Sequence, residues 1–500
     1  MTGGLWFSVA CLALVAVLVG FSASKGGSKS SFKESARRLE RAHPVQGASE
    51  AERAREAARL HPDAPDIGPG LTVGWRAESG EKRLLQGWRE CSVHVWGTGR
   101  GKTTTEVIRH AVEAPGAFVA TANKPDGIRE IIAGRRDRGR VWVFDPQGIL
   151  EETPGPVMTF DLFASVVDTM SADEVAAIFD VASAGGAGAG RDPQFDSQGR
   201  DLLSSCFLAA REGDLPPSKV LEWISSGKLR EPEKVLREAG HQGRAALLKG
   251  ISEQPDDTRG SVLATAQRMG SALTHDVLVR WATPTPGVRR FDPAQFVRSN
   301  DTLVLLTQDT AGSAAAFIST LLHAVFMSAK KEAQNNGGRL RVPLVAELDE
   351  VGNVVKLPKL PDWFSFFGSM GIVVSAYYQT RGQGVDMLKE TGWDTLWAAA
   401  AIRVYGGGSD DEKLLKMLNS ISGRYEHRTT THTTSRTQRS TSSAVQQRDI
   451  MPVDKLADLP QWRAWVRVNK GGTAIIRTRP WFEDEGLREW IETGLEEMGE

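Results

Sequence analysis

The chain has little cysteine and almost no net charge, and beyond its first two dozen residues it has no long apolar run. Its 500 residues include three cysteines, Cys11, Cys91 and Cys206, which lie too far apart to fit any metal-ligand spacing. No disulfide framework is therefore expected, and the usage suits a reducing compartment. Cys91 and Cys206 read as small core residues. The formal net charge is −1. No global basic field exists to hold a polyanion, so any nucleic-acid site must be local, created by the fold or by assembly. No internal repeat is visible. What remains is ordinary for a globular chain, 40% apolar and 25% charged, and long enough for two to three domains with cores of their own.

The one apolar run, residues 5–21, carries no charge and is near the short end of what spans a bilayer as a helix. No positive charge precedes it, as a cleaved signal peptide would require. The charge follows it, at Lys25, Lys29, Lys33, Arg37, Arg38 and Arg41. Positive flanks stay cytoplasmic. Residues 1–24 are therefore expected to be a single-pass transmembrane helix in the inner (plasma) membrane, N-terminus outside and bulk inside. Cleavage near Ser22-Ala23-Ser24 is the competing reading. Residues 25–70 read as a charged juxtamembrane linker; Glu34 to Leu60 could form a polar helix laced by i,i+4 pairs, but a solvated spacer is the preferred reading, and its basic start could touch anionic lipid.

Downstream, Gly97-Thr98-Gly99-Arg100-Gly101-Lys102-Thr103-Thr104 follows an apolar stretch and precedes a helix-like run. Strand, glycine loop, Gly-Lys-Thr, helix is the context of a Walker A phosphate loop. Glycines let successive N–H groups turn inward around a polyphosphate, and the helix N-terminus adds partial positive charge. Lys102 would reach the β- and γ-phosphates, and the Thr103 hydroxyl would hold Mg²⁺. The usual first glycine is missing: Trp96 stands there, with Gly97 one residue later.

Strand-like pieces then alternate with helices through residues 71–193, the rhythm of a parallel sheet. Residues 184–190 are a glycine-rich turn. Residues 194–285 show helical periodicity without strands and read as an all-α domain inserted in the nucleotide-binding domain, which resumes over 286–480. Residues 429–447 are rich in Ser, Thr, Gln and Arg and read as a mobile loop unable to bury a core; Arg436, Arg439 and Arg448 there could contact phosphates. Residues 481–500 are acidic, with apolar Leu487, Trp490, Ile491 and Leu495 at amphipathic-helix spacing, packed on the body or offered to a partner.

A second half of the nucleotide site is legible. Residues 342–350 form an apolar strand ending in Asp349-Glu350, as a Walker B strand does. Asp349 would assist the metal and Glu350 would polarise the attacking water. A buried strand, 372–378, then delivers Gln379 to the same edge, where a glutamine can read the γ-phosphate. Asn123-Lys124-Pro125-Asp126 and Asp145-Pro146-Gln147-Gly148 look like guanine-reading motifs, but their order is reversed, and both are assigned to turns after strands.

Taken in order, these pieces resemble the TraG/TraD-like coupling proteins of conjugative type IV secretion systems, in the FtsK/HerA-like group of P-loop motors. The resemblance rests on Gly-Thr-Gly-Arg-Gly-Lys-Thr at 97–103, Leu-Asp-Glu-Val-Gly-Asn-Val at 348–354, and residues 371–383. It also rests on the Gly/Asp turn at 406–411 and on Pro-Val-Asp-Lys-Leu-Ala-Asp-Leu-Pro at 452–460. It implies an α/β, RecA-like P-loop ATPase with a mainly parallel sheet, an all-α insertion and an N-terminal anchor. Such a protein would be a homo-hexameric motor feeding a relaxase–DNA substrate, single-stranded DNA in this expectation, to a secretion channel. A nucleotide-binding receptor without steady hydrolysis and an ATPase for protein export stay open. Relatives often carry two spans and an arginine near the neighbouring subunit's phosphate. Here one span is visible and no Arg or Lys lies between Asp362 and Thr380, leaving Arg259, Arg268 and Arg381 as candidates. The expected site thus places Gly97, Thr98, Gly99, Arg100, Gly101, Lys102, Thr103 and Thr104 on ATP. It places Thr103 and Asp349 on Mg²⁺, and Lys102, Glu350 and Gln379 in the chemistry.

Overall fold

Short apolar and β-branched runs, four to seven residues long, build one large sheet. A computed structural model describes residues 32–77, 82–150, 155–183, 193–308, 313–434, 439–469 and 472–499. The first strands are β1 (Leu71–Arg76), β2 (Arg83–Gln86), β3 (Ser92–Val95), β4 (Phe118–Ala122), β5 (Val141–Phe144), β6 (Met158–Thr159) and β7 (Arg289–Arg290). They are followed by β8 (Thr302–Leu306), β9 (Leu344–Leu348), β10 (Ile372–Tyr378), β11 (Ile402–Tyr405), β12 (Arg424–Thr434), β13 (Arg439–Asp449), β14 (Arg463–Val468) and β15 (Thr473–Arg477). The main sheet is eleven-stranded, in the order β2-β1-β15-β14-β11-β3-β10-β9-β4-β8-β5. From β11 to β5 every neighbouring pair is parallel, and from β2 to β11 every pair is antiparallel. β4, β8, β9 and β10 are buried along their whole length. Their continuous apolar character, without alternation, reflects helices covering both faces.

A helical block interrupts the sheet between β5 and β8. It contains Pro193–Glu212, Pro217–Ser226, Arg230–Glu238, Gln242–Ser252 and Asp256–Met269, and is preceded by Thr169–Ser183 packed against the same core. Phe163, Phe179, Phe207 and Phe317 join it to the body, with Phe179–Phe207 ring centroids 5.0 Å apart and Phe179–Phe317 6.0 Å. The short parallel pair β6–β7 brackets the block at its root.

Two expectations change, and one open alternative is decided. The linker is not a solvated spacer where it is described. Residues 32–42 form a helix that buries Ala36 and Leu39. The helix Glu50–Leu60, begun by a Ser49/Glu52 capping box, buries Arg53 and Ala57. The physical reason is Arg53, whose guanidinium meets Glu56 at 2.6 Å, Glu90 at 2.5 Å and the Leu85 carbonyl at 3.3 Å. A helix that looks polar around its circumference is docked by charge rather than by an apolar stripe. Where it is described, the tract at 429–447 is not a loop: β12 and β13 form a two-stranded antiparallel ribbon detached from the main sheet. Low apolar content was a poor guide there, because a ribbon of threonines satisfies its backbone without burying side chains. The acidic C-terminus packs on the body. Helix Glu485–Glu497 buries Ile491, donates from Trp490 Nε1 to the Gly134 carbonyl at 2.9 Å, and pairs Asp484 with Arg109 at 2.8 Å. Among the described residues no helix is long and apolar enough to cross a membrane; residues 5–21 and the 184–190 turn lie outside them.

Arg53→Ala leaves the buried Glu90 carboxylate without its main partner, and burial already pushes that carboxyl above its usual range. A loss of about 3 kcal/mol is expected in denaturant unfolding. Arg55→Ala, on the exposed face of the same helix, should change it by less than about 0.5 kcal/mol.

Candidate nucleotide-binding site

The parallel strands β3, β10 and β9 end side by side. Val95 lies opposite Tyr378, and Ala376 opposite Leu348. The residues that follow each strand therefore share one edge: the glycine loop after β3, Asp349-Glu350 after β9, and Gln379 after β10. Crevices at the carboxyl ends of parallel strands are where open α/β sheets bind ligands.

The loop is held at both sides of its start. Trp96 N–H donates to the Tyr378 carbonyl at 2.9 Å, and Gly97 N–H to the Gly407 carbonyl at 2.9 Å. A Cβ on Gly97 would lie 2.0 Å from the Gly408 oxygen, so this position must be glycine. The Trp96 ring lies so close over Gly406 that a Cβ there would sit 2.2 Å from it. A tryptophan at the missing first glycine is thus accommodated by glycine on the facing loop. Gly99 and Gly101 adopt φ of 71° and 84°. Thr98 and Gly99 are exposed at the tip, with no heavy atom within 4 Å of a Gly99 Cβ, while the Trp462 ring covers Gly101. Arg100 turns away. Its guanidinium donates to the carbonyls of Gly406 at 3.1 Å, Leu459 at 2.5 Å and Pro460 at 3.2 Å. Beyond Lys102 the helix opens with one π turn, Thr103–Val107, before continuing as Ile108–Glu113.

Lys102, Thr103, Asp349, Glu350 and Gln379 converge. Lys102 Nζ lies 2.6 Å from Glu350 Oε1 and 3.1 Å from Asp349 Oδ1. The Thr103 hydroxyl donates to Asp349 Oδ2 at 3.3 Å. Gln379 Nε2 donates to both Glu350 oxygens, at 2.9 and 2.7 Å, and Asn353 Nδ2 to Oε2 at 3.2 Å. Both carboxylates are nearly enclosed, 6% and 5% exposed, so the difference between them is set by partners. Burial holds Asp349 above the usual carboxylate range despite Lys102. For Glu350 burial acts the same way, but Lys102, Gln379 and Asn353 outweigh it and hold the carboxyl below that range. Burial would lower Lys102, yet the two carboxylates raise it. Glu350 takes a left-handed backbone, φ 56°, a strained conformation of the kind that collects at functional positions.

Sequence reasoning missed several neighbours: Trp462 over the loop, Asn353 on Glu350, and the docking of Arg100. It noted Gly406-Gly407-Gly408 only as a motif, and here those glycines are the second wall of the phosphate loop. Their signal was the run itself, which makes room for Trp96 and Gly97. The candidate trans arginines are all engaged within the chain: Arg259 with Asp256 at 2.6 Å, Arg268 with Asp196 at 2.7 Å, and Arg381 with Glu390. The turn at 123–127 lies against Thr103, and Asp145 closes its own turn by accepting from Ile149 and Leu150 N–H at 2.9 and 2.8 Å.

Beneath the loop runs a polar network with no solvent contact. His110 Nδ1 is 3.0 Å from Glu347 Oε1 and Nε2 is 3.0 Å from the Thr72 carbonyl. With two acceptors facing it, the ring carries both protons. Burial alone would lower it, but Glu347 raises it to about 9. Ser375 and Tyr377 complete Glu347 at 3.0 and 2.8 Å. His94 Nδ1 lies 2.9 Å from Glu106 Oε2, and its Nε2 2.9 Å from Ser92 Oγ.

Comparison with known proteins agrees with this architecture. The family model described as the TraM recognition site of TraD and TraG matches residues 343–461. The bacterial conjugative coupling protein TrwB, unbound and shortened as TrwBdeltaN70, matches with a TM-score of 0.57 at 16% identity, over 84% of this chain and 91% of its own. TrwB in complex with ADP and Mg²⁺ matches at 0.56 and 15% identity, over 85% and 92%. TrwB with the non-hydrolysable GTP analogue GDPNP matches at 0.53 and 15%, over 78% and 86%. No curated protein matches the chain. The chain is thus TraG/TraD-like over the matched segment and shares the α/β fold of a conjugative coupling protein.

Two outcomes follow from this geometry. Gly97→Ala should cost about 3 kcal/mol in thermal unfolding by forcing the two loops apart, and Gly99→Ala about 1 kcal/mol from backbone strain alone. The His110–Glu347 pairing contributes stability that is complete below the ordinary histidine value and is lost as pH rises through about 9. Wild-type unfolding free energy should therefore fall by roughly 3 kcal/mol across that window, and His110→Gln should flatten the slope.

Proposed function

We propose that the protein is a P-loop ATPase that couples ATP hydrolysis to the recruitment of a relaxase–DNA substrate and its delivery into a type IV secretion channel. In this reading it is anchored in the inner membrane by residues 5–21 and works as a homo-hexamer with its ATPase domain in the cytoplasm. The observation that carries the reading is the convergence of Lys102, Asp349, Glu350 and Gln379, from three separate stretches of chain, at the carboxyl edge of β3, β9 and β10. The likeness of fold to a coupling protein solved with ADP and Mg²⁺ supports it.

The residues fit a nucleoside triphosphate and its magnesium. The loop tip at Gly99 is open, and Lys102 is a partly covered cation ready to exchange carboxylate for phosphate oxygen. The Thr103 hydroxyl and Asp349 carboxylate, 3.3 Å apart, are the oxygen ligands that would hold a small hard cation here. Among the described residues no three His, Cys, Asp or Glu side chains gather as a metal cage. A cation held mainly by phosphate and water accords with that. Mg²⁺–ATP, when bound, supplies a terminal phosphoryl group whose charge the metal offsets. Lys102 and the loop N–H groups position that charge. Glu350, kept ionised, accepts a proton from the water it orients. Gln379 fixes the Glu350 carboxylate by donating to both oxygens and so links β10 to the site.

A second reading, a receptor that binds nucleotide without turning it over, is favoured by one observation. Each candidate finger, Arg259, Arg268 and Arg381, is held by a carboxylate of its own chain. The two readings separate in one assay, ATP turnover by the full chain with and without DNA. Glu350→Gln should lower kcat about 100-fold or more with nucleotide binding retained, while Lys102→Ala should weaken nucleotide binding itself. Turnover by the unaltered chain that ignores DNA and both substitutions overturns the motor. Firm binding without turnover establishes the receptor.

A further inference from the structure

The β12–β13 ribbon is a long element that serves no part of the site described above. Its strands pair over eleven positions, from Arg424↔Asp449 to Thr434↔Arg439, and neither pairs with the main sheet. Eleven residues of antiparallel strand reach about 35 Å. Arg424, Glu426, Arg428 and Thr429 on one strand and residues 443–448 on the other are exposed. An isolated two-stranded hairpin is marginally stable in water, so a ribbon this long and this bare is built to lie against something.

Its composition says what. Between Glu426 and Asp449 the sequence holds four arginines, two histidines and no carboxylate, in a chain whose overall net charge is −1. Arg424 is held by Asp449 at 2.9 Å. Among the described residues Arg428 has no carboxylate partner, and there the Arg448 guanidinium reaches only Gln446 Oε1, at 3.4 Å. The register puts Arg428 opposite Val445 and Arg448 opposite Tyr425, one on each face. Threonine, serine and glutamine fill most remaining places. Guanidinium, hydroxyl and amide donors are the set that proteins present to phosphate and sugar, and the major groove of a duplex admits a two-stranded ribbon. Residues 427–448 contain no Phe, Trp or Tyr. That removes the stacking platforms by which single strands are held, and also the aromatic anchors of a membrane-surface element.

We infer that the ribbon is an arm that contacts the phosphate backbone of double-stranded nucleic acid through Arg428 and Arg448. The inference rests on the reading of the chain as a nucleic-acid-handling motor and adds the element and the form of nucleic acid. Both ends of the arm lead back to the phosphate loop. Helix Glu412–Ser422 enters it from the Gly406–Gly408 loop that receives Gly97, and helix Val453–Ala457 leaves it toward Leu459 and Pro460, which hold Arg100.

The test is duplex binding by the full chain across a salt series, with Arg428→Ala/Arg448→Ala and the charge-conserving Arg428→Lys/Arg448→Lys. The alanine pair should weaken binding about tenfold or more and reduce the slope of log affinity against log salt by about 2, and the lysine pair should keep most of the slope. ATP turnover without nucleic acid should be unchanged in both, and duplex should protect the ribbon from proteolysis. Normal turnover together with unaltered affinity and slope in the alanine pair overturns the arm while leaving the motor standing. Lost binding to phosphatidylserine vesicles with duplex binding intact assigns the arm to lipid, and a changed oligomeric state with duplex binding intact assigns it to a second copy; either overturns the proposal. Absence of duplex binding by the unaltered chain overturns arm and motor together.

Discussion

The parallel register of β3, β9 and β10 is the constraint on which the rest depends. Backbone bonding sets Val95 level with Tyr378, and Leu348 level with Ala376 two residues before it. The residues after each strand then have no choice but to meet. A slip of one residue in any of the three would send its inward side chains to the opposite face and its terminal carboxylate or amide out of reach. Burial on both faces, by helices and two apolar clusters, makes such a slip expensive.

Charge sits on this frame in two layers. At the rim, Lys102 offsets two nearly enclosed carboxylates, and the left-handed backbone at Glu350 holds its side chain toward Gln379 and Asn353. One level down, His110, Glu347, Ser375 and Tyr377 form a network closed to solvent that ties the helix after the glycine loop to β9 and β10. Breaking a buried pair of this kind leaves an uncompensated charge, so the network resists separation of that helix from the sheet. The rim is where partners can be exchanged, because there Lys102 and Thr103 are only partly covered.

Much of the site was legible because each piece is local. A glycine loop between strand and helix, an apolar strand ending in Asp-Glu, and a buried strand ending in Gln can each be read from a dozen residues. What was not legible is non-local. No periodicity shows that β3 lies between β10 and β11, or that four antiparallel strands extend the sheet beyond β11. Trp96 looked like a defect until Gly406 was found beneath its ring. The helix Glu50–Leu60 was misread because its anchor, Arg53, finds Glu90 thirty-seven residues away. The ribbon was misread because absence of apolar residues was equated with absence of structure, although repeated threonines satisfy a ladder well.

The N-terminal helix adds a mechanical consequence. Following the chain from residue 32, Ser35 meets Lys455 at 2.9 Å, and Arg38 lies over the Tyr425 ring with its guanidinium carbon 4.1 Å from the centroid. Only then does Glu40 reach Arg76 of β1, and His43 the Ser422 carbonyl at 3.2 Å. Tension applied ahead of residue 32 is therefore borne first at the base of the ribbon and by the short helix behind it, before any strand of the main sheet takes load. Whatever holds the chain by that end also grips the lever that projects from it.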